Sequence, residues 1–466
     1  MDYDLVMGLG PNRVLVVGAG KTGLAVARFC ASRNAEVTIT DKRGDAELGD
    51  AKAALRDYKI HWELGGHVEA TFRSADLIVV SPGVPMLPEL QAAKRHGAAI
   101  TGEVELAFRF CEAPVVAVTG TNGKSTVTAL AGALAERSGR PTFTGGNLGT
   151  PFISCVDGPA ARLRGLCVLE LSSFQLETCE NFHPHAAALL NLTPDHLDRY
   201  PSMEAYGQAK LRIGRKMGPG DFLVVNADDE WFSGIVPRAL PYATKLWYSA
   251  GPARPDTHGF VDGGELVLRL PEASPAAGEE RYPIAEMKLV GKHNLGNALA
   301  ALLLVRGPGL VSYDQARAGL GEFRALPHRM ELVGEKRGVR FYDDSKATNV
   351  DSVVAGVDGF PAPFWLIAGG RDKGGSYAPL VAALRRGTCR KVLLIGEAAP
   401  LIERALDGSG IGALRMSSLE EAVAVAAQAA ASGDAVVLSP ACSSYDMFRN
   451  YEHRGQAFRA AVEAVA

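Results

Sequence analysis

Residues 114–126 read PVVAVTGTNGKST, and this stretch decides the architecture. An apolar run with the length of a buried strand feeds Gly120-Thr121-Asn122-Gly123-Lys124-Ser125-Thr126, and helical spacing follows over 125–136. Backbone N–H groups of such a turn cradle phosphate. Lys124 neutralises the terminal phosphates, and Ser125 offers a hydroxyl to Mg2+. Val118 stands where the usual phosphate loop has its first glycine, so the turn must be built from Gly120 and Gly123. A strand, a glycine loop, Lys-Ser-Thr and a helix in succession point to ATP or GTP.

The same rhythm recurs on both sides. Upstream, RVLVV (13–17) reads as a strand, Gly18-Ala19-Gly20-Lys21-Thr22-Gly23 as a glycine turn and LAVARFCASRN as a helix. EVTIT (36–40) closes on Asp41, and DLIVV (76–80) ends at Ser81-Pro82-Gly83. GxGxxG after a strand, with an acid 21 residues past Gly20, is the dinucleotide-binding pattern in its proper setting. It announces a diphosphate at a helix N-terminus and leaves NAD, FAD and other diphosphates open. Downstream, strands are expected at CVLEL (167–171), AAALLNL (186–192), DFLVVNA (221–227), VRFYDDS (339–345), FWLIAGG (364–370), KVLLIG (391–396) and AVVLSP (435–440). Residues 240–285 read as a small antiparallel insertion, and a helix is expected from His293 to Arg306. Short apolar runs alternating with turns and amphipathic helices are parallel βαβ units. The expected fold is α/β, in three consecutive domains over 1–110, 111–325 and 326–466.

Polar clusters fall where these strands end. Glu170, at the end of a strand in the phosphate loop's own domain, is a natural Mg2+ ligand. Asn147 in GGNLG is a further phosphate or metal contact. Asn191-Leu192-Thr193-Pro194-Asp195-His196-Leu197-Asp198-Arg199-Tyr200 carries a histidine suited to a metal or a substrate. Lys210 by pattern alone is a surface lysine. His328-Arg329, Asp343-Asp344-Ser345-Lys346-Ala347-Thr348-Asn349, Gly369-Gly370-Arg371-Asp372-Lys373-Gly374-Gly375 and Ser439-Pro440-Ala441-Cys442-Ser443-Ser444 follow strands of the third unit. In a parallel sheet such strand ends share one crevice, and cations there suit an anionic substrate or a transferring phosphoryl group. Cys442 has no base near it in sequence and reads as a buried thiol.

Composition narrows the classes. The 466 residues carry 49 Lys plus Arg against 52 Asp plus Glu, a formal net charge of −3, which argues against a polyanion-coating surface. Seven cysteines without a CxxC pair suggest reduced thiols in a cytoplasmic protein. MDYDLVMGLGPNRVLVVG lacks the features of a targeting segment, and no apolar run reaches membrane-spanning length. No nucleic-acid or membrane partner is expected.

Taken together, GTNGKST, LELSSFQLE, LTPDHLDRYPSMEAYGQAK, GKHNLGNALAA, LPHRME, DDSKATN, GGRDKGG and LSPACSSYDMFRNYEHRG, extended by VVGAGKTG and SPGVP, resemble the Mur ligase family along essentially the whole chain. The motifs match its D-glutamate-adding branch. The resemblance implies a Rossmann-like N-terminal domain for a UDP-linked substrate, a central ATPase domain and a Rossmann-like C-terminal domain for the amino acid and ATP. It implies a monomeric ATP-dependent ligase acting on UDP-N-acetylmuramoyl-L-alanine and D-glutamate through an acyl phosphate. By the same resemblance Gly18, Ala19, Gly20, Lys21, Thr22, Asp41, Lys42, Arg43, Ser81, Pro82, Gly83 and Asn147 serve the UDP-substrate. Gly120, Thr121, Asn122, Gly123, Lys124, Ser125, Thr126, Asn294, Asn297, Arg329 and Asp344 serve ATP. Two Mg2+ sites draw on Ser125, Glu170, His196 and Lys210, the last as a carbamylated lysine (N6-carboxylysine). Lys346, Thr348, Lys373, Ser444 and Tyr451 form the D-glutamate pocket, Tyr451 adding a hydroxyl where the family commonly has Phe. The alternatives are a related ligase adding another amino acid and, from a different class, an NAD(P)-dependent oxidoreductase.

Overall fold

The structure is a computed structural model that describes residues 12–465 except 198, 290, 325 and 359. The N-terminal stretch inspected for a targeting segment (through residue 11) and Asp198 of the His196 cluster lie outside the described residues. Three sheets follow one another along the chain. The first holds β1 (Arg13–Val17), β2 (Glu36–Asp41), β3 (Ile60–Leu64), β4 (Leu77–Val80) and β5 (Ala99–Gly102), all parallel, in the order β3-β2-β1-β4-β5. The second holds β6 (Val115–Thr119), β7 (Thr142–Gly146), β8 (Leu166–Glu170), β9 (Ala186–Leu189), β10 (Phe222–Asn226), β11 (Thr244–Tyr248), β12 (Gly259–Asp262), β13 (Glu265–Leu270) and β14 (Gly278–Pro283). Its order is β14-β13-β12-β11-β10-β9-β6-β8-β7. The third holds β15 (Glu331–Lys336), β16 (Val339–Asp343), β17 (Phe364–Gly369), β18 (Cys389–Ile395), β19 (Ala413–Arg415) and β20 (Ala435–Leu438), ordered β15-β16-β20-β17-β18-β19.

The strands read from apolar runs are the inner ones. β1, β6, β8, β9 and β20 are buried at nearly every position, because helices cover both faces of a parallel sheet. β3, β5, β7, β15 and β19 were not expected, and each is a sheet edge. Edge strands are covered less fully, so IHWEL and ELVGEK need no continuous apolar run. The antiparallel insertion is real but shorter than 240–285. β11 pairs in parallel with β10, and only β12, β13 and β14 form an antiparallel meander. The helix expected from His293 starts at Lys292 and ends at Arg306. A second helix the reading did not separate, Tyr313–Glu322, follows behind a capping box at Ser312 and Gln315.

Two buried carboxylates fasten the first domain's last helix, Glu103–Phe108, to the second domain. Glu105 accepts from the backbone N–H groups of Glu180, Asn181 and Phe182, each at about 3.0 Å. Glu103 accepts from Ile153 N–H at 2.6 Å with one oxygen, while its other oxygen is buried without a partner. Burial pushes the Glu103 carboxyl up to about 7. A carboxyl raised on folding stabilises the fold below its unfolded value, and that contribution is lost as pH rises through the folded value. Ionised Glu103 therefore costs on the order of 3 kcal/mol in mildly alkaline solution. Glu103→Gln is expected to raise the melting temperature by a few degrees at about pH 8.5 and to leave it nearly unchanged at about pH 5. Calorimetric melts at the two pH values check this, and a variant less stable at both would refute it.

Candidate functional site at the meeting of three domains

β6 lies between β8 and β9, and this placement builds the centre of the site. Register sets Val118 beside Glu170 and Thr119 beside Leu189, so the turn leaving β6 opens between the ends of two parallel neighbours. Val118 is a fully buried strand residue, which explains why no glycine is needed there. Glycine is needed at 120 and 123. A Cβ on Gly120 would fall 2.9 Å from the Cβ of Leu190. Gly123 has a φ of +82°, and a Cβ there would meet the side-chain oxygen of Asn297 at 2.5 Å. Helix Lys124–Glu136 starts at once behind it.

Three cationic side chains crowd this turn. Lys124 Nζ donates to the carbonyls of Gly120 at 3.0 Å and Thr121 at 2.7 Å. Lys210, expected by pattern on the surface, is 1% exposed. Its Nζ donates to the same Gly120 carbonyl at 2.7 Å and sits 4.2 Å from the Tyr206 ring centroid. Burial lowers both amines, and the charge of Lys124 lowers Lys210 further, well below the ordinary lysine value. Lys346 lies 3.6 Å over the ring of Tyr451, and burial followed by the nearby Arg329 brings its amine down to about 8.

Glu170 is 2% exposed. One carboxylate oxygen accepts from Asn147 Nδ2 at 2.6 Å, and the other is buried with no hydrogen-bond partner. An orphaned buried carboxylate oxygen is costly, and a hard cation satisfies it. Asn147, expected to touch the UDP-substrate, is thus joined to the expected metal ligand. His196 adopts a φ of 56° and packs edge-on against Phe174 and Tyr206. Burial lowers its imidazole, which leaves it neutral and able to ligate. Asp195 beside it accepts from Lys373 Nζ at 3.2 Å and Asn349 Nδ2 at 3.3 Å. Burial alone would raise Asp195, but the charge of Lys373 and the hydrogen bonds from Lys373 and Asn349 outweigh it and hold the carboxyl below its usual range.

A cleft of about 460 Å³ runs from the phosphate loop between the second and third domains. Asn122, Gly123, Thr126, Asn294, Asn297, Arg329 and Asp344 line it, so residues expected around ATP from four separate stretches share one cavity. Thr121 and Ser125 lie buried within the same loop and helix start. Asp344 accepts from Ser439 Oγ at 2.6 Å, and burial raises its carboxyl to about 7. Of the residues expected around D-glutamate, Lys346 and Tyr451 touch. Thr348 is half-buried, and Ser444 is 2% exposed. Lys373 turns to Asp195 in the second domain. Arg454, unremarked within EHRG, is fully buried and binds the carbonyls of both Ser345 and Cys442, joining the two loops of this pocket. The Cys442 thiol is fully buried 3.2 Å from Tyr377 Oη and is pushed up to about 11 by burial.

In the first domain the glycine turn closes tightly. A Cβ on Gly23 would fall 1.9 Å from the Gly18 carbonyl, and Ser81 Oγ donates to that carbonyl at 3.2 Å. Lys21 Nζ donates to the Gly149 carbonyl at 2.5 Å, beside Asn147. Asp41 accepts four bonds: from Ala19 N–H, from Arg43 N–H and from the Arg43 guanidinium twice. Burial works to raise this carboxyl, but these donors outweigh it and hold it well below the usual carboxylate range. Its four acceptor positions are filled, so a ribose hydroxyl would have to displace one of these donors. Pro82 and Gly83 line a cavity of about 180 Å³ against Phe174 and Gln175 of the second domain.

Among the described residues, one group of three side chains has its ligand atoms within 4.8 Å of one another: His328, Glu331 and Asp343. It has the makings of a Mg2+-type cluster, and it lies under the loop that carries Lys346. Its donors are engaged: His328 Nδ1 lies 2.6 Å from Asp343, and Glu331 takes the His328 N–H and the Arg459 guanidinium. Asp343 raises the His328 imidazole, and a protonated ring opposes a cation. No helix of the described residues is long and apolar enough to cross a membrane. The seven cysteines are free thiols.

Comparison with known proteins matches this geometry to a family. Residues 12–102, 118–305 and 328–442 match family models described, in turn, as the Mur ligase MurD-like N-terminal domain, the Mur ligase middle domain and the Mur ligase glutamate ligase domain. The chain belongs to the Mur ligase family. It is 48% identical to the UDP-N-acetylmuramoylalanine--D-glutamate ligase of Anaeromyxobacter dehalogenans, over 96% of each chain. It is 47% identical to the ligase of the same name from Pelobacter propionicus, over 98% of this chain and all of that one. Its fold is also that of the UDP-N-acetylmuramate-alanine ligase MurC of Thermotoga maritima, with a TM-score of 0.61, 19% identity, and coverage of 98% of this chain and 100% of that one. In this Mur ligase, sequence reasoning named His196 but passed over Asp195 beside it. It also left Asn349 and Ser352 unassigned, although Asn before an apolar helical run is an N-cap signal.

Proposed function

We propose that this Mur ligase joins D-glutamate to UDP-N-acetylmuramoyl-L-alanine, converting ATP to ADP and phosphate, in the cytoplasmic stage of peptidoglycan precursor synthesis. Identity approaching one half along essentially the full length to relatives of that name carries the reading. The site's chemistry supports it.

A carboxylate is a poor acyl donor, so its oxygen must first be made a leaving group. The L-alanyl carboxylate oxygen attacks the γ-phosphorus of ATP; the bond to the β-phosphate oxygen breaks, and ADP departs. Lys124 leaves the carbonyls of Gly120 and Thr121 and grips the phosphoryl oxygens, whose negative charge restores an amine that burial has weakened. Glu170, His196, Ser125 and carbamylated Lys210 would hold Mg2+ ions, which when bound neutralise the oxygens of the transferring phosphoryl group. The orphaned Glu170 oxygen and the neutral His196 ring fit that role. Lys210 is suited to carbamylation because burial and the charge of Lys124 favour its neutral amine, and a neutral amine can form the N–C bond to CO2 and release a proton. The D-glutamate amine then attacks the acyl carbon, the tetrahedral intermediate expels phosphate, and an amide remains. Lys346 and Lys373 are suited to the two carboxylates of glutamate. Closure of the C-terminal domain keeps water from the acyl phosphate.

Phosphate release is the direct test. With ATP, Mg2+ and UDP-N-acetylmuramoyl-L-alanine present, D-glutamate is expected to drive release, and L-glutamate, diaminopimelate and lysine are not. Preference for another amino acid in that panel would overturn the substrate assignment.

A further inference from the structure

Asn122 of the phosphate loop is held on two sides. Within the second domain its N–H donates to Asn191 Oδ1 at 2.8 Å, its carbonyl accepts from Asn191 Nδ2 at 3.1 Å, and its amide nitrogen reaches Thr193 Oγ1 at 3.4 Å. Its amide oxygen faces the third domain. That oxygen accepts from Ser352 Oγ at 2.7 Å and from Asn349 Nδ2 at 3.2 Å. Asn349 does two jobs at once. Its oxygen accepts from Ser352 N–H at 2.8 Å and so caps helix Val350–Val357, while its amide nitrogen also reaches Asp195 at 3.3 Å. Nothing in the reaction as described uses Asn349 or Ser352.

We propose that Asn349 and Ser352 are positioning residues that latch the C-terminal domain onto the phosphate loop through Asn122, aligning the amine with the acyl phosphate. The inference rests on the ligase reading above and deepens it. The acyl phosphate forms on the second domain, whereas Lys346 and Tyr451 belong to the third. Their relative placement decides whether the amine meets the acyl carbon, and an error of about 1 Å is enough to cost roughly a hundredfold in rate. Both donors sit at the start of one capped helix, so the latch moves with the segment that carries Lys346. Asp195 gives a second grip, because it takes Asn349 and Lys373 together.

The decisive variant is Asn349→Asp. Aspartate caps a helix as well as asparagine does. It cannot donate to Asn122, and it sets a carboxylate against Asp195. In the full-length protein Asn349→Asp and Ser352→Ala are expected to lower kcat roughly ten- to a hundredfold, with KM for D-glutamate raised and KM for the UDP-substrate unmoved. Asn349→Asp should still melt in one cooperative transition, lowered by no more than a few degrees by the repulsion from Asp195, and Ser352→Thr, which retains the hydroxyl, should return towards the wild-type rate. Small-angle scattering with AMP-PNP and Mg2+ reads closure without any amino acid: the wild type contracts and Asn349→Asp stays more extended. A wild-type kcat or a wild-type scattering profile in Asn349→Asp overturns the latch. Because the scattering arm needs no amino acid, a wild type that fails with D-glutamate yet contracts with nucleotide points to a wrong substrate and not to a wrong latch.

Discussion

Lys124→Ala is expected to lower ATP-dependent amide formation roughly a thousandfold, while binding of the UDP-substrate persists. The lysine is the cation at the head of the phosphate loop, held against the carbonyls of Gly120 and Thr121 until phosphate oxygens replace them. Alanine removes that charge from a half-buried position at the head of the loop. The turn itself should survive, because its shape depends on Gly120 and Gly123 and its anchor is Asn191. The residues expected to bind the UDP-substrate lie largely on the first sheet and its loops, apart from the loop. Phosphate release and calorimetric titration with UDP-N-acetylmuramoyl-L-alanine measure the two effects. Turnover at the wild-type rate would refute the phosphate-loop assignment.

Glu170→Gln should separate the metal requirement from the fold. The amide keeps the size of the side chain and an oxygen for Asn147 Nδ2, but it lacks the charge of the unpartnered oxygen. The rate is expected to fall roughly a hundredfold, and the Mg2+ concentration for half-maximal phosphate release should rise. Without Mg2+ the variant should melt no lower than the wild type, because a buried charge with an unsatisfied oxygen has been removed. Mg2+ titrations of phosphate release, with melts in a chelator, test both halves. A Mg2+ dependence identical to the wild type would remove Glu170 from the metal site.

The physical origin of each feature explains how well it was legible. GTNGKST could be read because its function is local: two glycines, a lysine and a helix start suffice to shape the turn. Inner strands could be read because burial on both faces leaves an unbroken apolar run, and the edge strands escaped for the opposite reason. The shared crevice of Glu170, His196 and the third domain's loops was legible only as strand ends, and the family resemblance supplied the residue roles. Asp41 was legible only as the acid that follows the glycine turn, whereas the fold fills its acceptor positions with Arg43 and the glycine turn. Nothing in GxGxxG announces that Arg43 will fold back two residues.

The chain's own order of residues determined three α/β domains, a phosphate-gripping turn after β6 and the chemical types available at each strand end, because periodicity and turn chemistry act over a few residues. Tertiary structure alone decided that Lys210 is buried against a carbonyl 90 residues away and that Asn349 meets Asn122 across 227. The first arises where the second domain folds back on its own phosphate loop, and the other where the second and third domains meet. Their cost in desolvation and their gain in alignment belong to the assembled site, and no local pattern records them.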